Sequence, residues 1–406
     1  MRSALVKRAL VAVLFFTASI TARADIVTDW NAIAERVVTS RNQQPFVQTR
    51  TFALLHVAMF EAVNAVERRY QSYLPAVRPQ PNCSAQAAAI SAAHGVLAKL
   101  FPDSADELEV DLGTALQALP RGDATEQGIA LGQRVAMTVL QSRADDRYDI
   151  AERYQPRTSA GEYVPTVLPV ASQWAQVKPW LIASGSAFRP VKPPKLTSQE
   201  WARAYNEVKV IGAKNSTQRT PQETEIAIFW SITGPISWNP LVRLVADTPG
   251  RTVSENARLF ALIAMATADA HIAVFDAKYH YHFWRPITAI RNGAVDRNRR
   301  TVAVPDWIPL LDTPLHPEYP CAHCITASAV AVILGAEFHG KSLPPLRMTS
   351  AALPGVTRTW SSFSEYADEI ARARVYGGVH YGFSTRVGQN MGVAIARFSL
   401  SKLAPL

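Results

Sequence analysis

Residues 254–286 read SENARLFALIAMATADAHIAVFDAKYHYHFWRP, and this stretch decides the fold class. Its mostly apolar composition predicts one long buried helix that begins near Ser254 and reaches Phe283. Pro286 disfavours the helical conformation of the residue before it, so this helix should end at Arg285. His271, Lys278 and Arg285 are each seven residues apart, and seven steps of about 100° return to nearly the same helix face.

This stripe of three basic side chains points to an anion. Aromatic and apolar neighbours indicate that the stripe is buried: Phe275, Tyr279, Phe283 and Trp284. Buried lysine and arginine require a negative partner, which favours a bound anion. The alternative interpretation is a solvated stripe on the surface.

A second cluster, YPCAHC at 319–324, precedes an apolar helix predicted to reach Phe338. The free amides of Ala322 and His323 would face out of the helix N-terminus, where the helix dipole favours an anion. His323 could exchange a proton with a molecule bound there. Alternatives are a capped helix with a core histidine, a zinc site that lacks a second ligand pair, and a redox or disulfide pair of Cys321 and Cys324.

A third cluster, ARVYGGVH at 373–380, closes a helix that starts at Ser362 and should end at Gly377-Gly378. Arg374 lies in the last turn of this helix, and His380 lies just beyond it.

The rest of the chain is also predicted to be helical. Apolar spacing predicts helices over 50–68 and 84–100. Pairs of Ser or Thr with Glu three residues later mark helix starts at Ser104, Thr197, Thr220 and Ser362. Period-2 alternation is scarce, and 301–304 is the best candidate strand. Seven prolines with interspersed aromatic residues predict that 151–196 wraps over the helices, the alternative being a linker between independent domains.

Composition limits the class of protein. The 406 residues are 48% hydrophobic and 18% charged, and three cysteines exclude a disulfide framework.

Residues 1–24 combine a basic start, a 12-residue apolar stretch and Ala22-Arg23-Ala24, which is typical of a signal peptide. We therefore expect an exported, periplasmic or extracellular protein, the alternative being a retained membrane anchor. Without 1–24 the net charge falls from +9 to +5, because four basic and no acidic residues are lost. This mild excess suits an anionic ligand and does not indicate nucleic acid, and no later segment is predicted to span a membrane.

The three clusters match, in order, the signature Lys-x6-Arg-Pro, Pro-Ser-Gly-His and Ser-Arg-x5-His. The matching positions are Lys278, Arg285, Pro286, Pro320, His323, Arg374 and His380. Cys321, Ala322 and Ala373 replace the Ser, Gly and Ser of the signature. The chain therefore resembles the superfamily of vanadium-dependent haloperoxidases and type 2 phosphatidic acid phosphatases, and in particular its exported bacterial haloperoxidase branch, over most of 25–406.

The resemblance implies an all-α fold with two helical bundles in one compact unit, like that of vanadium chloroperoxidase and acid phosphatases. Along the chain we expect N-terminal helices over 25–150, the proline-rich wrap over 151–196 and a catalytic bundle over 197–406.

The resemblance also assigns roles at the site. Vanadate, or phosphate as a competing oxyanion, would be held by Lys278, Arg285, Cys321, Ala322 and Arg374. His380 resembles the axial histidine that binds vanadium in a peroxidase or attacks phosphorus in a phosphatase. His323 resembles the general acid–base, and Lys278 would polarise bound peroxide.

Three functions follow from these roles. The first is a vanadate-dependent haloperoxidase, which uses hydrogen peroxide to oxidise halide to hypohalous acid. The second is a soluble periplasmic acid phosphatase that cleaves a phosphate monoester through a phosphohistidine. The third is a non-catalytic oxyanion-binding protein, because Cys321 and Ala373 lack the hydroxyl donors of the signature, each worth about 1 kcal/mol. His316 resembles a histidine of algal bromoperoxidases, and no halide preference follows from it.

Overall fold

The computed structural model describes residues 25–165, 167–338 and 342–406, which form a mostly helical protein. The predicted signal peptide at 1–24 lies outside the described residues. The helices are α1 (Ile26–Thr39), α2 (Pro45–Glu67), α3 (Ala85–Leu100), α4 (Ala105–Gln117), α5 (Asp123–Ser142), α6 (Gln199–Ile211), α7 (Pro221–Phe229), α8 (Asn239–Ala246), α9 (Val253–Tyr281), α10 (Pro286–Arg291), α11 (Ala322–Glu337), α12 (Phe363–Tyr376) and α13 (Gly382–Leu400). Strands β1 (Leu346–Ser350) and β2 (Leu353–Trp360) form one small antiparallel sheet. The predicted all-α class is confirmed.

Helix α9 is the centre of the fold. A capping box between Thr252 and Glu255 starts it, and its residues are buried on nearly every side because they are apolar around the whole helix. It packs against α2 from the N-terminal part of the chain and against α11 and α13 from the C-terminal part. Among the described residues α9 alone is long and apolar enough to cross a membrane, but 94% of its apolar window is buried inside the protein, as in a core helix.

The predicted helix starts are confirmed only in part. Thr220 forms the predicted capping box with Glu223, and Ser362 accepts a hydrogen bond from the Glu365 amide. Helix α6 is capped by Ser198 instead of Thr197, since the neighbouring serine can supply the same oxygen. Ser104 makes no cap, because it closes a short 3₁₀ turn and lacks the extended backbone of a capping residue.

The prediction that α9 reaches Arg285 is wrong. The helix ends at Tyr281, and His282 follows in the left-handed conformation with φ of 50°. Arg285 is extended, as expected before a proline, and Pro286 occupies the first position of α10. The predicted strand at 301–304 is also wrong: these residues form no ladder, and the Val304 amide donates to the Ile290 carbonyl instead.

The described part of 151–196 contains no α-helix and is bound to α9. Three of its aromatic side chains are buried against the helices that the segment covers: Tyr163, Trp174 and Trp180. The buried carboxylate of Asp269, on α9, accepts three backbone hydrogen bonds of 2.7–3.0 Å from residues 180–182. This packing favours a wrap over a linker, and the three-part division of the chain stays a prediction.

Candidate active site

A cavity of about 540 Å³ lies where α9, the start of α2 and the start of α11 meet the loops before α11 and after α12. Its lining includes Ala322, His323, Arg374 and His380, which form its oxyanion end, and the rest combines apolar with polar side chains. The volume lies within the range of small-molecule sites.

His380 is held in one orientation at this end of the cavity. Its Nδ1 lies 2.6 Å from Oε1 of Glu318, which also accepts from the Tyr381 amide. A carboxylate accepts, so Nδ1 carries the proton and Nε2 keeps its lone pair. The loop that places His380 requires Gly378, whose φ is 74° and whose Cβ would lie 2.4 Å from the Gly212 carbonyl oxygen.

Arg285 and Lys278 lie behind the cavity wall and donate hydrogen bonds to the backbone of the loops that form it. The Arg285 guanidinium donates to the carbonyl oxygens of His316 and Val379 at 2.8 and 2.9 Å, and lies 3.3 Å from Nε2 of His380. Lys278 Nζ donates to the carbonyl oxygens of Pro317 and Glu318 at 2.9 and 2.8 Å. Both cations are fully buried and are solvated by backbone oxygens instead of by carboxylates.

Arg374 is a third buried cation and has unused hydrogen-bonding capacity. Its Nη1 donates to the Trp230 carbonyl oxygen at 3.0 Å, while its buried Nε has no partner among the described residues. Nε2 of His323 is likewise buried without a partner there. Helix α13 approaches the first turn of α11 so closely that a Cβ at Gly388 would lie 2.5 Å from the Cys321 carbonyl oxygen, and this packing fixes His323 at the helix start.

The charges of these residues fit an oxyanion. Three buried cations meet one buried carboxylate, Glu318, so the site has excess positive charge that burial makes costly. Burial lowers the pKa of Arg285 to about 10 and, with Arg285 nearby, the pKa of Arg374 to about 9. An anion bound at the cavity end would relieve this excess and use the unpartnered Nε of Arg374. The residues present therefore fit a tetrahedral oxyanion such as vanadate or phosphate.

Burial also keeps the histidines neutral. It lowers the pKa of His380 and of His323 well below 6.5, and neighbouring cations lower both further. The pKa of Glu318 is raised to about 7 by burial, which Arg285 and Lys278 oppose. A neutral imidazole can bind a metal, attack an electrophile or accept a proton through its lone pair, which in His380 faces Nη1 of Arg285 at 3.3 Å.

The structure brings six of the seven predicted site residues together. Ala322, His323, Arg374 and His380 line the cavity, and Lys278 and Arg285 contact its wall from behind. Arg285 arrives from the start of α10, instead of from the face of α9 that carries His271 and Lys278.

The thiol donor expected at Cys321 is corrected by the structure. Cys321 and Cys324 form a disulfide, so Cys321 has no S–H to donate. Its sulfur instead accepts a hydrogen bond from the Cys324 amide and caps α11. The capping serine of the signature is thus replaced by half of a disulfide, which was one of the open alternatives for this pair.

Sequence reasoning missed two functional contacts. Glu318, the partner of His380, lies 62 residues away from it in the chain and belongs to no part of the signature. Thr49 on α2 bonds Nδ1 of His271 on α9 at 3.1 Å across 222 residues. An acidic residue between Pro317 and Pro320, directly before the second cluster, was the available signal for Glu318.

Comparison with known proteins agrees with this geometry. Residues 258–405 match the family model described as the VCPO second helical-bundle domain. These residues resemble that family, and the matched region is called the VCPO-type bundle below. The VCPO-type bundle contains Lys278, Arg285, the α11 start, Arg374 and His380, so the matched region supplies the whole oxyanion end of the cavity.

A curated relative of this VCPO-type bundle is vanadium chloroperoxidase from Curvularia inaequalis. It is 29% identical over an alignment of 155 positions that covers 32% of this chain and 25% of that protein. The match thus spans a quarter of the relative's length.

Solved structures extend the likeness to the whole fold. A bacterial vanadium-dependent iodoperoxidase superimposes with a TM-score of 0.81 at 23% identity, covering 95% of this chain and 98% of that one. The holo form of a bacterial vanadium-dependent chloroperoxidase gives 0.70 at 17% identity, covering 89% and 92%. The predicted haloperoxidase-like architecture is therefore confirmed, and the proteins it resembles are enzymes.

Proposed function

We propose that this protein is a vanadate-dependent haloperoxidase that oxidises halide with hydrogen peroxide to hypohalous acid. The observation that carries the proposal is the buried cluster of Lys278, Arg285 and Arg374 around His380, whose Nε2 lone pair is oriented by Glu318. The VCPO-type bundle and its haloperoxidase relatives support the same conclusion.

The residues that would hold vanadate are the three cations, the amide of Ala322 and Nε2 of His380. When bound, vanadate supplies a Lewis-acid centre that activates hydrogen peroxide toward halide. The protein's own part is electrostatic: fixed positive groups in a site shielded from water stabilise negative charge without reorganising. Glu318 stabilises the Nδ1–H tautomer of His380 and keeps the ring from turning.

Proton supply is the second task of the site. Halide, hydrogen peroxide and one proton give hypohalous acid and water, so a proton must reach the reacting oxygen. His323 lines the cavity beside Arg374, and its unpartnered Nε2 is available for that proton. Its lowered pKa means that it passes the proton on instead of storing it.

Phosphate-monoester hydrolysis is the second candidate, and the same His380 favours it. An Nε2 lone pair held beside three cations is also the arrangement of a histidine nucleophile that attacks phosphorus. His323 would then protonate the leaving alcohol.

One paired assay separates these functions. One arm contains orthovanadate, hydrogen peroxide and iodide, bromide or chloride, and follows hypohalous acid with a dye acceptor. The other arm contains 4-nitrophenyl phosphate without vanadate. His380→Ala is compared with His280→Ala, an exposed histidine in the last turn of α9.

The proposed function predicts halide oxidation that requires vanadate, is lost in His380→Ala and is kept in His280→Ala. Phosphate release without halide oxidation would replace it with the phosphatase. Vanadate binding with both arms silent would show a non-catalytic oxyanion-binding protein.

We also propose that the protein is exported through residues 1–24. The Cys321–Cys324 disulfide supports this, because disulfides persist in oxidising compartments. Expression with the full leader, followed by cell fractionation and N-terminal sequencing, should give a periplasmic or secreted chain that begins at Asp25. An uncleaved chain in the membrane fraction would show an anchor instead.

A further inference from the structure

The cavity is larger than peroxide and halide require. Its volume of about 540 Å³ exceeds the combined size of these small reactants, since a water molecule occupies only about 30 Å³. Beyond the oxyanion end, the lining includes the aromatic and aliphatic side chains Phe46, Phe275, Leu311 and Leu315 together with polar residues such as Asp312. The apolar side chains offer hydrogen peroxide no hydrogen-bond partner, but they would bind an organic molecule.

Two phenylalanine rings shape this part of the cavity. Phe46 of α2 and Phe275 of α9 meet edge to face, with centroids 5.3 Å apart and planes at 77°. Both side chains are nearly fully buried by the protein around them, so the rings are fixed. Fixed aromatic surfaces of this kind favour a flat aromatic ligand.

His271 places a hydrogen-bond acceptor in the same part of the cavity. The hydroxyl of Thr49 donates its single proton to the Phe46 carbonyl oxygen at 2.8 Å. The 3.1 Å contact between Thr49 and Nδ1 of His271 must therefore be donated by the histidine. Nε2 of His271 consequently has a lone pair, and no described residue donates to it.

His316 also contacts Phe275, but its Nδ1 is held by protein groups. This Nδ1 lies 2.9 Å from Nη2 of Arg285, which can only donate, and 3.1 Å from the carbonyl oxygen of Pro317, which can only accept. The two histidines contact Phe275, with ring centroids 6.3 Å away for His271 and 5.3 Å for His316. Of this pair, His271 is the one whose contacts fix Nε2 as an acceptor.

We propose that the cavity binds a small phenol as the organic halogen acceptor, with its ring against Phe46 and Phe275 and its hydroxyl donating to Nε2 of His271. This inference rests on the proposed haloperoxidase function. The phenol would react before hypohalous acid leaves the cavity. A ring carbon forms the carbon–halogen bond, the oxygen–halogen bond breaks, and the displaced ring proton joins the hydroxide as water. His271 and the two phenylalanines are specificity-determining residues in this scheme.

Binding can be measured without vanadate. Isothermal titration would compare 4-methylphenol with its methyl ether, which has the same ring but no proton to donate. Wild type should bind the phenol about tenfold more tightly than the ether, the usual value of one hydrogen bond. His271→Phe should abolish this preference, His271→Gln should keep part of it through its amide oxygen, and the exposed control His280→Phe should not change it.

Three results would overturn the subsite: no binding of 4-methylphenol by wild type, equal affinity for phenol and ether, or an unchanged preference in His271→Phe. If His271→Phe fails to fold, Thr49→Val replaces it. Without the Thr49 oxygen the ring proton of His271 is no longer held on Nδ1, so the preference for phenol over ether should fall severalfold.

Turnover separates this inference from the function on which it rests. With vanadate, peroxide and iodide alone, triiodide formation tests the haloperoxidase. With 4-methylphenol added, iodination should saturate, and His271→Phe should raise the KM for the phenol about tenfold. Triiodide formation with iodination independent of phenol concentration would refute the subsite only. Absence of triiodide in wild type would refute the proposed function instead.

Discussion

Replacing Arg374 with methionine should stabilise the ligand-free protein and weaken its affinity for vanadate. Arg374 is 2% exposed, and its only described hydrogen bond goes to the Trp230 carbonyl oxygen. Burial and the nearby charge of Arg285 lower its pKa. Methionine has a similar volume and no charge, so it removes the buried cation without leaving a large cavity.

The size of the stability gain follows from the pKa. Each pKa unit corresponds to about 1.4 kcal/mol, so a fall from 12.5 to about 9 sets an upper limit of about 5 kcal/mol on the cost of burying this charge. Loss of the hydrogen bond to the Trp230 carbonyl oxygen destabilises the variant by about 1–3 kcal/mol, which offsets part of this gain. The free energy of unfolding of Arg374→Met should therefore exceed that of wild type by at most about 2–4 kcal/mol.

The loss of vanadate affinity follows from the bond that Arg374 would make. A hydrogen bond to a charged group contributes about 1.5–3 kcal/mol, so the dissociation constant of vanadate should rise about 10- to 100-fold. Vanadate at 100 times the wild-type dissociation constant stabilises wild type by about 2.7 kcal/mol, and it would stabilise the variant far less. The difference in free energy of unfolding between Arg374→Met and wild type should thus become smaller or change sign when vanadate is added.

Urea unfolding at pH 7 in buffer free of phosphate and vanadate, repeated with vanadate, measures both effects. Arg358→Met is the matched control: Arg358 bonds Glu369 at 2.6 and 2.7 Å, so this variant should lose stability and keep its vanadate affinity. A less stable Arg374→Met in the absence of vanadate would refute the buried-charge argument. An unchanged dissociation constant would remove Arg374 from the oxyanion site.

Three further predictions concern stability. Asp269→Ala should lower the free energy of unfolding by about 3 kcal/mol or more, because three backbone amides of residues 180–182 lose their acceptor, and faster limited proteolysis within 151–196 would accompany it. Stability should also fall by about 3 kcal/mol between pH 7.5 and 5.5 from His56 and His271 alone. Burial lowers the pKa of these histidines to about 3 and about 4, so below pH 6.5 the unfolded chain binds protons that the folded chain does not. His56→Gln should make the pH dependence of the free energy of unfolding shallower. A free energy of unfolding that does not change with pH in wild type would contradict the argument. Reduction of the Cys321–Cys324 disulfide should cost about 2 kcal/mol, the closure entropy of so short a loop, and should increase the titratable thiols in urea from one to three; three thiols before reduction would show that the bond is not formed.

The sequence predicted the contents of the site better than its geometry. The seven-residue spacing correctly placed His271 and Lys278 on one face of α9, because both lie within an uninterrupted helix. The same rule failed for Arg285, since the left-handed turn at His282 ended the helix first. The signature nevertheless identified Arg285, because it contains the Arg-Pro pair. In the structure Pro286 starts α10, and Arg285 directly precedes this helix.

Contacts across long stretches of chain were beyond local patterns. The Glu318–His380 bond depends on the packing of two loops, and a single sequence has no periodicity that pairs residues 62 positions apart. The disulfide was open as an alternative, but its formation depends on the first turn of α11 bringing Cys321 and Cys324 together. The fold class was accessible for the opposite reason: apolar composition along α9 and α11 is a local property.

The contribution of α2 to the cavity has a consequence for how such a protein can diversify. Phe46 and Thr49 lie about 200 residues upstream of the family-matched bundle, yet Phe46 lines the cavity and Thr49 contacts His271 in its lining. Part of the proposed acceptor subsite is thus encoded far from the residues of the oxyanion end, although His271 and Phe275 lie in the same bundle. In the proposed haloperoxidase, substitutions near the start of α2 would change which organic molecule is accepted without touching the residues proposed to hold vanadate. An engineer who seeks new acceptors should therefore randomise this helix start first.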